Sequence, residues 1–449
     1  MVAFYKEQKN RQVQKPFEAA CMDLDLHCRG VARHDGRTWF IPNLLPGEKA
    51  KVMPDVSKGS SGTAKVIKLI ERSPERRSPD CPLQEQCGGC VLQYMPPETA
   101  LNAKVKAAAR LFNKNCKIDI GEPDFVAAGS EIGYRRSCRF SVRSSHGKVE
   151  LGFRGLYSHE LAAVDACPVL TDRINALLPK LTALINKLGS KKKLGHVEFV
   201  DSDGILGVYL RFTVVLNKAD KTALREFGLA EQCLISIAEP YQDAITQEEK
   251  LTETCLTDNL SELFVTSGGC RLNFLPSAFV QVNKAVNDVM VQKVLDAVKP
   301  DSSMHILDLF CGLGNFTFAL ARSGAQVFGV DIVRSMIEKA RENAEQNKLP
   351  NLDFTVTDLE EPFENQLWAK RKYDAVVLDP GRQGAKRAAV FLSKLKPQLI
   401  VMISCNPLAA SRDSLQLLQN GYKLAGWGAF DMFPRTAHIE LMLVFSKQE

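Results

Sequence analysis

Residues Met304 to Ile332 read MHILDLFCGLGNFTFALARSGAQVFGVDI, and the reading of this stretch decides the fold. An apolar run, MHILDLF, meets two glycines, Gly312 and Gly314. A helical segment follows, and then a second apolar run, AQVFGVDI, that closes on Asp331. Glycines at a strand-to-helix turn let the backbone come close to a ligand at the C-terminal edge of an open sheet. Downstream the runs LDFTVTD, YDAVVLDP and PQLIVMIS alternate with helical stretches, of which VRSMIEKARENAEQNK has the best-formed period. Alternation of this kind specifies a parallel sheet covered by helices on both faces. After a helix beginning near Pro407 come YKLAGWGAF and HIELMLVFS. The join between them is too short for a crossover helix, so the last two strands are expected to pair antiparallel.

At 449 residues the chain is long for one core, and two or three domains are expected. Its 45% apolar and 24% charged composition is that of a globular protein. No apolar run reaches the ~18 residues of a membrane span, and the first turns of the chain lack the apolar core of a signal peptide. A cytoplasmic location without membrane contact is therefore expected. Thirteen cysteines, an odd number without export signals, argue against a disulfide framework and raise metal binding or catalysis instead. The net charge of +6 points only weakly to a polyanion. Local clusters say more: GYRRSCRFSVR carries Arg135, Arg136, Arg139 and Arg143 around Tyr134 and Phe140, and Lys191 to Lys193 form a second focus. Arginines interleaved with aromatics suit phosphate contact and base stacking, and a solvated strand and loop fit the pattern equally.

Residues 14–72 read as a small all-β unit, in which TWFIPNLL and TAKVIKLI stand between Gly, Pro, Ser and Asp punctuation. An OB-like barrel is the fold expected for them. ERSPERRSPDCP reads as a linker into the first cysteine cluster. Residues 73–98 and 131–270 form a central α+β region whose elements the sequence does not order. Between its two parts, residues 99–130 contain the helical ETALNAKVKAAARLFNK and are expected to pack on the last domain, 271–449.

Five parallel strands closed by an antiparallel hairpin is the arrangement of Rossmann-like class I methyltransferases, so the expected cofactor is S-adenosylmethionine. Four strand tips end in Asp308, Asp331, Asp358 and Asp379. Asp331 stands 19 positions after Gly312, where a carboxylate meets both ribose hydroxyls. Asp358 is placed for the adenine amino group, and Asp379 lies nearer the substrate. Taken singly, each is also ordinary polar punctuation after a buried strand. A dinucleotide dehydrogenase needs a third glycine where this chain has Thr317. The fifth strand runs into Cys405, and a cysteine at a central strand tip points its thiolate into the crevice. Most free cysteines are packing residues, and position is what separates this one from them. Glu440 is the lone carboxylate at the start of an apolar final strand, where burial favours proton uptake.

FVQVN, DLFCGLGNFT, GVDIV, DPGRQG, SCNP and the terminal HIE together resemble the RNA uracil-5-methyltransferase family, most closely its branch acting on bacterial 23S ribosomal RNA. The resemblance covers essentially the whole chain. It implies S-adenosylmethionine contacts at Gln281, Phe310, Asn315, Asp331, Asp358 and Asp379, with Cys405 as nucleophile and Glu440 as base. Asp331 stands where the family also carries Glu, a shorter reach to the ribose. Carbon 5 of uracil is too weak a nucleophile to take a methyl group unaided. Thiolate addition at carbon 6 makes the ring an enolate, and a base must then remove the carbon 5 proton. The resemblance also implies an RNA-binding TRAM domain at the N-terminus and a 4Fe-4S cluster on Cys81, Cys87, Cys90 and Cys167. CGGC lets two thiolates reach one cluster with little backbone hindrance. By spacing alone, zinc also accepts four cysteines. The partner implied is 23S ribosomal RNA, with no obligate protein partner. A transfer RNA uracil-5-methyltransferase and an RNA cytosine-5-methyltransferase are the neighbouring readings. An iron-sulfur RNA-binding factor with a vestigial site is the distant one.

Overall fold

The computed structural model describes residues 15–156, 160–243 and 248–448. The first residue of the expected barrel, 14, lies outside them. The chain divides into two compact units, one taking in the chain up to Asp80 with Val91–Ala108, the other Cys81–Cys90 with everything from Ala109 onward.

In the first unit, six strands between Phe17 and Glu71 form one sheet, dominated by the long hairpin Lys49–Lys58 and Ser61–Glu71. Alternate residues face inward, as a sheet with one solvated side requires. Ala19, Ala32, Trp39, Ile41, Ala50 and Val52 make its core. Gly62 is small for a reason: a Cβ there would lie 2.7 Å from the Trp39 ring. A buried ion pair closes the unit, Arg76 Nε to Glu48 Oε1 at 2.6 Å. Burial works against the Glu48 charge, but hydrogen bonds from Arg76 and the Leu45 and Ser73 amides hold its carboxyl below the ordinary range.

The second unit contains two large sheets. The first runs Leu161–Ala163, Lys148–Arg154, Ser137–Ser145, Leu194–Asp201, Leu206–Phe212, Cys233–Gln242, Glu249–Cys255. All neighbours are antiparallel except Leu206–Phe212 with Cys233–Gln242, which the helix Lys218–Ala230 connects. A parallel pair needs such a crossover. On this sheet the arginine-rich segment divides between core and surface, with Arg139 and Arg143 exposed. Tyr134 and Phe140 are buried, and Phe140 stacks on Phe153 with ring centres 4.7 Å apart. Arg136 is buried, bonding the Asp201 carbonyl at 2.8 Å and pairing with Asp203. Arg139 pairs with Glu198 and Arg143 with Glu150, each at 2.7 Å. Glu198 and Glu150 lie in neighbouring strands and Asp203 in the loop after one of them, out of sight of a linear reading. Lys192 and Lys193 remain exposed.

The second sheet has eight strands in the order Leu352–Val356, Gln326–Asp331, His305–Leu309, Ala375–Leu378, Leu399–Ser404, Glu440–Lys447, Tyr422–Asp431, Phe125–Ala128. The first five are parallel, and the closing hairpin is antiparallel, as the short join required. Ile306, Leu307, Val376, Val377, Ile400 and Val401 are wholly buried, each worth roughly 1.5–3 kcal/mol of transfer free energy. The edge strand Phe125–Ala128 was not legible in the sequence. It comes from the connection after the helix Pro97–Cys116 and pairs parallel with Tyr422–Asp431. Strand order reverses beside His305–Leu309, and an open α/β sheet binds its ligands at the carboxyl ends around such a point.

Candidate active site

The site is built at those carboxyl ends. After Leu309 the chain turns through Phe310, which takes a left-handed conformation at φ +61°, and Gly312 and Gly314, at φ +55° and +97°. Phe310 pays strain of about 1–3 kcal/mol that glycine avoids. A Cβ on Gly312 would meet only Met336, at 3.7 Å, so the backbone faces open space there. Asp331 pins this turn to the end of the next strand: its carboxylate accepts the Gly312 amide at 2.9 Å and the Val333 amide at 2.8 Å. Each oxygen keeps a second lone pair for a ligand hydroxyl.

Asp308 is fully buried beneath the turn. Thr317, where a dinucleotide fold would need glycine, instead donates its hydroxyl to Asp308 Oδ2 at 2.5 Å. The other oxygen, Oδ1, has no hydrogen-bond partner. Burial, with Asp379 and Asp331 nearby, pushes the Asp308 carboxyl up to about 7. Asp379, half-buried at the next strand tip, is likewise pushed up to about 7 by burial. Three carboxyls surround one glycine turn, one of them fully buried with an orphaned oxygen, and make an acidic setting for a cation. S-adenosylmethionine carries both an ammonium and a sulfonium, so the residues fit it.

The remaining expected contacts fall into two groups. Gln281 is half-buried two residues before Asn283, whose side chain caps the helix Lys284–Val298 through the Val286 amide. Asp358 is half-buried beyond the third strand and accepts the Glu360 amide at 2.9 Å. Asn315, in contrast, is engaged by the protein: it exchanges two 2.9 Å hydrogen bonds with Asn287 and accepts a third from Ser267. Asn287 and Ser267 thus belong to the site's frame, and nothing in their local sequence marks them. A cavity of about 200 Å³ lined by Phe279, Leu313, Val333 and Met336 adjoins the turn.

Register brings Cys405 and Glu440 together. Ser404 pairs with Leu441 across antiparallel strands, so the next residue on each side, Cys405 and Glu440, come face to face. Cys405 sits between its strand and the helix Pro407–Leu418, which Asn406 caps by accepting the Leu408 amide at 3.1 Å. Burial and the neighbouring Glu440 and Asp379 push its thiol up to about 11, opposed by Arg382. Glu440 is 9% exposed. Burial, then Asp379, raises its carboxyl to about 8, again against Arg382. Arg382 was not among the residues singled out in the sequence, although it lies in DPGRQG between Asp379 and the next helix.

Cys81, Cys87, Cys90 and Cys167 are all partly buried. Burial raises the Cys90 thiol to about 12, and Cys167, Cys87 and Cys81 add to the rise, so the four share one neighbourhood. Among the described residues no group of three or more Cys, His, Asp or Glu side chains is arranged to hold a metal ion. Peptide hydrogen is directed at the sulfurs all the same: the Gly89 amide donates to Cys87 Sγ at 3.4 Å, and the Val169 and Leu170 amides to the Cys167 sulfur. Gly88 carries no side chain because a Cβ there would lie 3.2 Å from the Arg154 and Gly155 carbonyls.

Strand order, glycine turn and acidic tips define a class I methyltransferase fold. The chain belongs to the tRNA (uracil-5-)-methyltransferase family, whose model matches residues 108–448. It is 37% identical over 452 residues to the 23S rRNA (uracil(1939)-C(5))-methyltransferase RlmD of Tolumonas auensis, covering all of both chains. The RlmD of Salmonella typhi is 38% identical over 448 residues, again covering all of both. Among solved structures, the tRNA (uracil-54, C5)-methyltransferase of Pyrococcus abyssi in complex with S-adenosyl-L-homocysteine superposes with a TM-score of 0.69. At 21% identity it covers 96% of this chain and all of its own, and it shares the fold.

Proposed function

We propose that this protein transfers a methyl group from S-adenosylmethionine to carbon 5 of a uridine in 23S ribosomal RNA through a covalent bond between Cys405 and carbon 6. The observation that carries this is the Ser404–Leu441 register, which sets a thiol and a buried carboxyl against each other beside the acidic cofactor turn. Full-length similarity to ribosomal RNA enzymes supports the RNA class over transfer RNA. Glu440, where a carboxylate base is required, supports uracil over cytosine.

Bound S-adenosylmethionine supplies an electrophilic methyl group. Asp331 would hold the ribose, Asp358 the adenine edge, and Asp379 the part of the cofactor nearer the substrate, with Gln281 and Phe310 flanking them. Asn315 would act through its backbone and by fixing the turn, its amide being engaged by Asn287. The Cys405 thiolate adds to carbon 6, and the ring's π pair moves onto oxygen 4. Carbon 5 then takes the methyl group. Glu440, as carboxylate, removes the carbon 5 proton, the ring double bond reforms, and the carbon–sulfur bond breaks to return the thiolate. A carboxyl raised to about 8 is well matched to that proton.

Outside the crevice, Cys81, Cys87, Cys90 and Cys167 are read as ligands of a 4Fe-4S cluster. What supports this reading is that the four thiols share one neighbourhood and that amide-to-sulfur hydrogen bonds suit the charge of such a cluster. Residues 14–72 are read as a TRAM domain for RNA, 73–98 and 131–270 as the iron-sulfur region, 99–130 as the segment packing on the catalytic domain, and 271–449 as that domain. No described helix is long and apolar enough to cross a membrane, and a ribosomal RNA substrate puts the enzyme in the cytoplasm.

Mass spectrometry of RNA from cells lacking the protein tests the function. One 5-methyluridine should vanish from 23S ribosomal RNA and return with the unmutated gene but not with Cys405→Ala. Loss confined to transfer RNA would replace the substrate, and no loss in either would overturn the reading.

A further inference from the structure

The loop between Asp379 and the helix Lys386–Leu395 is clamped to the helix that starts immediately after Cys405. Asn406 Nδ2 donates to the Arg382 carbonyl at 2.8 Å. Arg412 Nη2 donates to the Gln383 carbonyl at 2.9 Å, and the Ala385 amide to Asp413 Oδ2 at 2.6 Å. Gly384, at φ +81°, lets the loop lie flat there: a Cβ would sit 2.5 Å from Asp413 Oδ2 and 2.6 Å from Arg412 Nη2. Asn406 therefore does two jobs, capping its helix with Oδ1 and holding Arg382 with Nδ2.

The neighbouring arginines are spent on structure. Arg387 pairs with Glu364 and Arg412 with Asp413. Arg382 is exposed, and its guanidinium makes no hydrogen bond or ion pair with the described residues. A cation held by its backbone and left free at its tip, at the mouth of a site containing a thiol and two carboxyls, is arranged to balance negative charge.

We propose that Arg382 is a positioning residue for the methyl transfer, fixed by Asn406 beside Cys405 so that its charge offsets the negative charge carried by the attacking sulfur. This rests on the reading of Cys405 as nucleophile. The groups facing that thiol are Glu440 from the last strand, Asp379 from the fourth parallel strand and Arg382 from the loop. The carboxyls and burial raise the thiol, and Arg382 opposes them. When carbon 6 is attacked, the negative charge leaves sulfur for oxygen 4 of the ring. It returns to sulfur when the carbon–sulfur bond breaks. Arg382 offsets the charge at sulfur at the start and end of the cycle.

The test needs no RNA. Alkylation of Cys405 by iodoacetamide in the full-length protein is followed by peptide mass spectrometry across a range of pH, with exposed Cys255 in the same digest as internal control. Arg382→Gln should slow alkylation of Cys405 about tenfold at a given pH, displacing the rate–pH line upward by about one unit, with Cys255 unchanged. Arg382→Lys, which keeps the charge, should return the rate to within about threefold of the unmutated protein. Unchanged Cys405 reactivity in Arg382→Gln would overturn the proposal, even if RNA binding fell, since Arg382 would then be a phosphate contact. A Lys variant as slow as Gln would also overturn it. Retained turnover in Cys405→Ala would instead remove the nucleophile reading itself, so the two failures are distinguishable.

Discussion

The two sheets of the second unit treat their charged residues in opposite ways. On the seven-stranded sheet, charges are consumed by each other: Arg136 meets Asp203, Arg139 meets Glu198, and Arg143 meets Glu150. On the eight-stranded sheet, the tips hold Asp308 with an unsatisfied oxygen and Asp379 and Glu440 raised by burial, and the loop beyond Asp379 carries Arg382, whose guanidinium makes no hydrogen bond or ion pair with the described residues. A buried carboxyl with an orphaned oxygen costs stability, and folds carry that cost where a ligand will complete the site. The difference teaches that rich charge in a sequence is poor evidence of function. Charge left unpaired by the fold is better evidence.

The comparison breaks most visibly at Cys405. Cys405→Ala should lower methyl transfer by a factor on the order of 10⁴ or more while leaving thermal unfolding nearly unchanged, measured by single-turnover transfer of labelled methyl and by calorimetry. Cys90→Ser should do something different in kind, reducing iron and acid-labile sulfide in anaerobically purified protein. Iron content equal to that of the unmutated protein would detach the cysteines from any cluster.

On the seven-stranded sheet the large effect should be on stability. Arg136→Ala removes the pair with half-buried Asp203, which keeps its bond from the Thr266 amide, and the bond to the Asp201 carbonyl, and should cost about 1–3 kcal/mol in denaturant unfolding. A loss below 1 kcal/mol would mean the pair is not the structural element described. Back at the strand tips, pH should matter. Glu440 must be ionised to accept a proton, and its carboxyl is raised to about 8, so release of product from the covalent adduct should accelerate as pH rises and level off above about 8. Below that, the rate should change about tenfold per pH unit. A release rate flat from pH 6 to 9, in rapid-quench measurements, would remove Glu440 as the base. The smallest effect belongs to Arg139, whose side chain is 65% exposed. Arg139→Ala should change stability by no more than about 1 kcal/mol, and RNA affinity by little, because the guanidinium is already engaged by Glu198. A large fall in RNA affinity would assign Arg139 to the RNA-contacting surface instead.

The strand tips were legible because a parallel sheet converts sequence into position. An apolar run that ends in Asp308, Asp331, Asp379 or Ser404–Cys405 delivers its next polar residue to one known edge. Glu440 was a poor signal by itself, since strand ends often carry a charge, and the family resemblance singled it out; the register that sets it beside Cys405 emerges only from the fold. Partners across the chain were not legible either. Arg136 and Asp203 lie on separate segments, and the Asn287–Asn315 pair joins a helix to a loop 28 residues away. The edge strand Phe125–Ala128 is four residues long and has too short a pattern to declare its state. Arg382 is informative only once the fold shows that its neighbours are paired and it is not.

The central claim is that Cys405 and Glu440 act at opposite ends of one covalent intermediate. It is tested most directly by incubating Glu440→Gln with S-adenosylmethionine and a fragment of 23S ribosomal RNA, then resolving the products on a denaturing gel and mapping the cross-linked peptide. Because the glutamine cannot take the carbon 5 proton, methyl transfer should occur once and stall. The slow-migrating species should contain methylated RNA joined through Cys405, and it should be absent from Cys405→Ala, Glu440→Gln. Continued turnover without any adduct, or an adduct that survives loss of Cys405, would contradict the mechanism.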